Sequence, residues 1–174
     1  MPAVRPIHLA KRFFGSLRPG GPGAEATTWV AGVLTPAELA LWAQMSGPDR
    51  RHSHQVAREV ERALGHEATA PVLAAALLHD VGKLDAGLRT YGRVIATLSA
   101  AVAGHEMAGF WTTRNGFTRK VGLYILHPNS GGDMLELAGS DPLTVAWTRQ
   151  HHLPEDQWTI PEDVAHVLKD CDDD

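Results

Sequence analysis

An all-α fold is the class this sequence predicts, on three observations. Apolar residues recur at helical spacing from Thr35 onward, proline and capping residues stand at the heads of those stretches, and no run of alternating apolar residues marks a strand. Thr35-Pro36-Ala37-Glu38 supplies an N-cap, a first-turn proline and a capping-box glutamate, opening a helix to about Gln44. A second helix runs from near Pro48 to Leu64 and is closed by Gly65. A third, Pro71–Asp80, is apolar on all sides and is therefore central and buried. A fourth covers about Leu88–Ala103. Helices over about Phe117–Leu126, Ser130–Ala138, Pro142–His152 and Pro161–Asp172 complete the set, with 104–116 as a partly ordered loop. Ahead of them, Arg18–Ala24 reads RPGGPGA, a breaker-rich stretch. Residues 1–34 are thus expected to form an N-terminal arm that packs on a 35–174 body through Phe13, Phe14 and Trp29. The arm is also a candidate for packing across a homodimer.

Composition narrows the function classes. A chain of 174 residues, 44% hydrophobic and 21% charged, fits one ordinary globular domain. A formal charge of −4 argues against a dedicated nucleic-acid binder. The longest apolar stretch, Ala70–Leu78, contains Pro71 and is well short of the roughly 20 residues a membrane-spanning helix needs. Arg5, Lys11 and Arg12 have no apolar segment behind them, so no secretory signal is expected. Cys171 is the only cysteine, which suggests a reducing, cytoplasmic setting.

The unusual number is ten histidines. His52, Val56, Val60 and Leu64 follow at i, i+4, i+8 and i+12, which puts His52 on the core-facing stripe; His54 lies on nearly the opposite face and is expected to be solvated. His79 and Asp80 end the buried third helix. A carboxylate there meets the negative end of the helix dipole, and a metal ion or Lys83 would compensate it. Val164, Val167, Leu168 and Cys171 form the apolar face of the last helix, with Asp172 beside it. His127, His151 and His152 add imidazoles near predicted helix ends. Imidazole with carboxylate suits divalent metals that keep a position open for water. Each residue alone has a plainer reading as a hydrogen-bonded core histidine or a solvated end; the ordered combination is more specific.

That combination resembles the HD-domain superfamily of metal-dependent phosphohydrolases. Asp49-Arg50-Arg51-His52-Ser53-His54-Gln55-Val56-Ala57 is similar to the family's opening histidine helix. Leu77-Leu78-His79-Asp80-Val81-Gly82-Lys83 is similar to its central motif, and Val167-Leu168-Lys169-Asp170-Cys171-Asp172 to its closing aspartate helix. The resemblance implies that His52, His79, Asp80 and Asp172 ligate one divalent metal. From His127 through Pro128 and Leu135 to His151-His152 the chain is similar to the HD-GYP branch. This implies a second ion on His127 with one or both of His151 and His152, bridged by Asp80. After the paired histidines the chain reads Leu153-Pro154-Glu155-Asp156, without that branch's Gly-Tyr-Pro loop.

The implied activity is hydrolysis of a nucleotide or related phosphate ester by metal-activated water, with Asp80 orienting the nucleophile and Lys83 placed on a phosphate. Arg114, Arg119 and Lys120 are candidates for a distal phosphate or base, and Trp158 for stacking on a base. Manganese, iron, magnesium, cobalt and zinc are all compatible with these ligands. A non-catalytic metal- and nucleotide-binding HD sensor and a plain helical interaction module are the alternatives.

Overall fold

The computed structural model describes residues 20–86 and 107–173; the expected helix Leu88–Ala103 and the anchors Phe13 and Phe14 lie outside them. The described elements form an all-α bundle, with no strand among the described residues. In chain order they are α1 (Ala24–Val33), α2 (Pro36–Gln44), α3 (Gly47–Leu64), α4 (Ala70–Leu78), α5 (Lys83–Ala86), a helical segment at 107–112, α6 (Gly116–Ile125), α7 (His127–Leu137), α8 (Pro142–Gln150) and α9 (Glu162–Asp173).

Helix α4 is the axis of the bundle because it has no polar side chain to keep in water. Val72 through Leu78 are all buried. Helices α3 and α8 pack on α4, α9 packs on α3, and α7 on α8. Val56, Val60, Trp147, Leu135 and Leu168 close around it to form one core. Two polar side chains inside the core are paired: Trp42 Nε1 donates to Ser53 Oγ at 3.1 Å, and the Thr144 hydroxyl donates to the Pro71 carbonyl at 3.0 Å. A smaller cluster of Ala108, Val121 and Ile125 joins α6 to the 107–112 segment.

Helix starts follow local chemistry. At α2 the Thr35 hydroxyl accepts from Glu38 N while the Glu38 carboxylate accepts from Thr35 N at 2.9 Å, completing the capping box. Gly65 caps α3 with φ of 55°, a conformation that costs any residue with a Cβ.

Four boundaries differ from the sequence expectation. Residues 24–33, assigned to the arm, form a helix that seats Val30 and Leu34 in the core, and Trp29 packs against the same cluster. The glycines and Pro22 that suggested a loop end at Gly23, just ahead of it. Residues 107–112 are helical rather than loop. Helix α7 begins at His127, not Ser130, because Pro128 fits the first turn of a helix. Finally, α4 stops at Leu78, which leaves His79 and Asp80 in the following turn.

Candidate metal centre

The turn after α4 is where the site is built. Val81 N bonds Leu78 O at 2.9 Å and Lys83 N bonds Asp80 O at 3.0 Å, so the chain coils tightly through Asp80. Gly82 lets the head of α7 lie directly on this turn: a Cβ there would stand 1.9 Å from the His127 carbonyl oxygen and 2.6 Å from Gly131 N. A Cβ on Gly131 would in turn come within 3.0 Å of Gly82 N and of Thr148 Cγ2. Two bare backbones therefore meet, and the contact carries His127 to Asp80.

Five parts of the chain converge on the site. His52 comes from α3, His79 and Asp80 from the turn, His127 from the head of α7, His151 and His152 from the end of α8, and Asp172 from α9. The donor atoms of Asp80, His127, His151 and His152 lie within 4.8 Å of one another, and so do those of His52, His79 and Asp172. His52 Nε2 is 2.9 Å from Asp172 Oδ1, and His127 Nε2 is 3.1 Å from Asp80 Oδ1. His79 Nε2 faces both acids, 3.4 Å from Asp172 Oδ1 and 3.5 Å from Asp80 Oδ2. Asp80 thus joins the groups, with Oδ1 toward His127 and Oδ2 toward His79. All of these residues are buried except His52, which is half-buried, and His152, which forms the rim.

Backbone contacts fix the tautomers. Nδ1 of His79, His127 and His151 lies 2.9, 2.7 and 2.9 Å from the carbonyls of Ala76, Tyr124 and Thr148, in each case three residues earlier. A carbonyl can only accept, so each Nδ1 carries a proton and each ring turns its Nε2 toward the site, free to ligate whenever that nitrogen is unprotonated. The Nε2 atoms of His79 and His151 are buried without a hydrogen-bond partner. A lone pair facing two carboxylates is repulsive unless a cation, a proton or a metal, lies between them. The cluster can hold a metal ion, and these donors fit one.

Electrostatics point the same way. Burial works against the His79 imidazolium, but the Asp172 and Asp80 carboxylates outweigh it and raise its pKa to about 10. Burial would likewise raise the Asp80 carboxyl, yet the Lys83 ammonium, His79 and His127 hold it well below the usual range. Burial, followed by the His152 and His79 rings, keeps His151 neutral far below the ordinary histidine value. His152 is pushed down by the burial of its ring and by His127.

The remaining candidates are placed differently. Lys83 is paired with Asp80 Oδ2 and lies 5.8 Å from the Tyr124 ring centre, so its ammonium is directed at the acid. Arg114 covers Phe110 at 4.4 Å, while Arg119 and Lys120 are exposed on α6. Trp158 packs edge-on against Trp147 and lines a cavity of about 380 Å3 with Glu155, Asp156, Ile160, Glu162 and His166, so acids outnumber the single imidazole there. His54, expected in solvent, is half-buried with its ring 5.4 Å from Trp29. Sequence reasoning missed Gly131 and the Tyr124 carbonyl. The Gly131-Gly132 pair inside a predicted helix was a usable signal, since glycine there weakens a helix and marks close backbone approach.

No family model, no curated protein and no solved structure matches this chain.

Proposed function

We propose that this chain is a metal-dependent phosphohydrolase of the HD-domain type, acting on a nucleotide or related phosphate ester. The observation that carries the reading is the convergence of His52, His79, Asp80, His127, His151, His152 and Asp172 on one centre with two unpartnered, buried Nε2 atoms. Such an array is costly to bury without a function that needs it. The motif order that resembles the HD superfamily lends the reaction class.

Divalent ions bound there would supply Lewis acidity and a water whose pKa is lowered toward neutrality. His79, His127 and His151 are oriented by their carbonyl partners with Nε2 toward the site, and His79, whose pKa is raised to about 10, would give up its Nε2 proton on binding. Asp80 turns one oxygen to each donor group and stays ionised at neutral pH, which suits it to orient a nucleophile between them. Lys83, beside Asp80, is within reach of exchanging its carboxylate partner for a phosphate oxygen.

The test is a hydrolysis screen of p-nitrophenyl phosphate, bis(p-nitrophenyl) phosphate and a nucleotide panel with manganese, iron, cobalt or zinc. Turnover should fall about a hundredfold or more in Asp80→Ala. A second reading, a non-catalytic metal- and nucleotide-binding sensor, is favoured by Arg114 lying over Phe110, by the exposure of Arg119 and Lys120 on α6 and by the acids around Trp158. Metal binding without turnover on the whole panel would select it.

A further inference from the structure

We infer that the two donor groups are unequal, and that Asp80, His127, His151 and His152 form the tight site, selective for a borderline transition ion. This inverts the order suggested by motif prominence, where His52, His79, Asp80 and Asp172 come first. It rests on the metal-centre part of the proposed function.

Donor number is the first argument. The Asp80 group offers four donors within 4.8 Å, three of them imidazoles, whereas the His52, His79 and Asp172 group offers three donors with two imidazoles. Preorganisation is the second. His127 and His151 have their Nδ1 atoms fixed by carbonyls, and Asp80 is held by Lys83 through the oxygen that faces away from His127. His151 Nε2 is wholly buried, 4.0 Å from Asp80 Oδ1 and unpartnered, so a ligand there replaces no protein contact. In the other group His79 is fixed in the same way. Each group holds one formed contact, His127 Nε2 to Asp80 Oδ1 at 3.1 Å and His52 Nε2 to Asp172 Oδ1 at 2.9 Å, but His52 is 27% exposed whereas His127, His151 and Asp80 are buried. Chemistry is the third argument. A set rich in imidazole prefers zinc, cobalt, iron or nickel over magnesium, which favours oxygen ligands.

The inference is tested on the intact chain by cobalt(II) titration, following visible absorption and the ion retained after dialysis against a mild chelator. The wild type should bind in two steps and retain about one ion that excess magnesium does not displace. His152→Ala, a change at the rim, should weaken the retained ion by about tenfold or more. His52→Ala, at a half-buried position, should keep the retained ion and lose only the weak step. Loss of the retained ion in His52→Ala with retention in His152→Ala would overturn the inference while leaving the metal centre standing. Equal loss in both variants would overturn it too, by making the groups one site. A wild type that takes up no cobalt would overturn the metal centre and the inference together.

Discussion

Across 47 residues of sequence, His127 Nε2 lies 3.1 Å from Asp80 Oδ1. Among the described residues no helix runs from one to the other. Their distance is set by the contact of Gly82 with the His127 carbonyl and with Gly131, where no room is left for a single carbon. The site's geometry is therefore a packing property of two glycines before it is a property of its ligands.

Gly82→Ala should accordingly be severe. The added carbon meets backbone, which cannot swing aside, so a loss of about 3 kcal/mol or more is expected in urea unfolding, at or beyond the upper end for overpacked sites. Gly131→Ala meets its neighbours at 3.0 Å and should cost less. Gly32→Ala, in open space on α1, should be neutral or stabilising by up to about 1 kcal/mol. A tolerant Gly82→Ala would refute the close approach.

The metal-free chain should be most stable near pH 6.5. His79 is raised above its ordinary value of 6.5, so its contribution is complete below that pH and is lost as pH rises through about 10. His151 is depressed, so its unfolded form takes up protons first and stability falls as pH drops below 6.5. Melting temperature in chelator should fall by a few degrees per pH unit on each side. Metal should flatten the alkaline limb, because an ion on His79 replaces the proton lost there. A chelated profile that keeps rising from pH 7 to 9 would contradict the His79 assignment.

Trp29 should act as the latch of α1. Its ring lies 4.9 Å from the Arg58 guanidinium carbon and 5.4 Å from His54, both on α3. Trp29→Ala should cost about 1–3 kcal/mol and speed amide exchange across Ala24–Val33 while α4 stays protected. Unchanged exchange in α1 would show that Val30 and Leu34 suffice.

Helical periodicity made α2, α3, α8 and α9 legible through their apolar stripes and start signals, and unbroken apolarity behind Pro71 did the same for α4. Helix α1 was not, since its stripe is weak and the glycines before it dominate the composition; Thr27 and Thr28 satisfy their hydroxyls on carbonyls four residues earlier. Of the site, the seven donors could be chosen from spacing and motif order. Their division into two groups joined by Asp80 was implied by the resemblance; which Asp80 oxygen faces which ring was not, because that depends on packing. The pairing of Lys83 with Asp80 was one of the two compensations the helix-end position suggested, whereas the placement of Trp158 beside acids was not legible, since the packing of α8 and its following turn determines it.

The most direct measurement is elemental analysis of the untagged chain, purified without chelator and then offered transition metals, beside the Asp80→Ala variant. The account predicts between one and two ions per wild-type chain and a clear loss in the variant. A wild type that holds no metal before or after titration would contradict it.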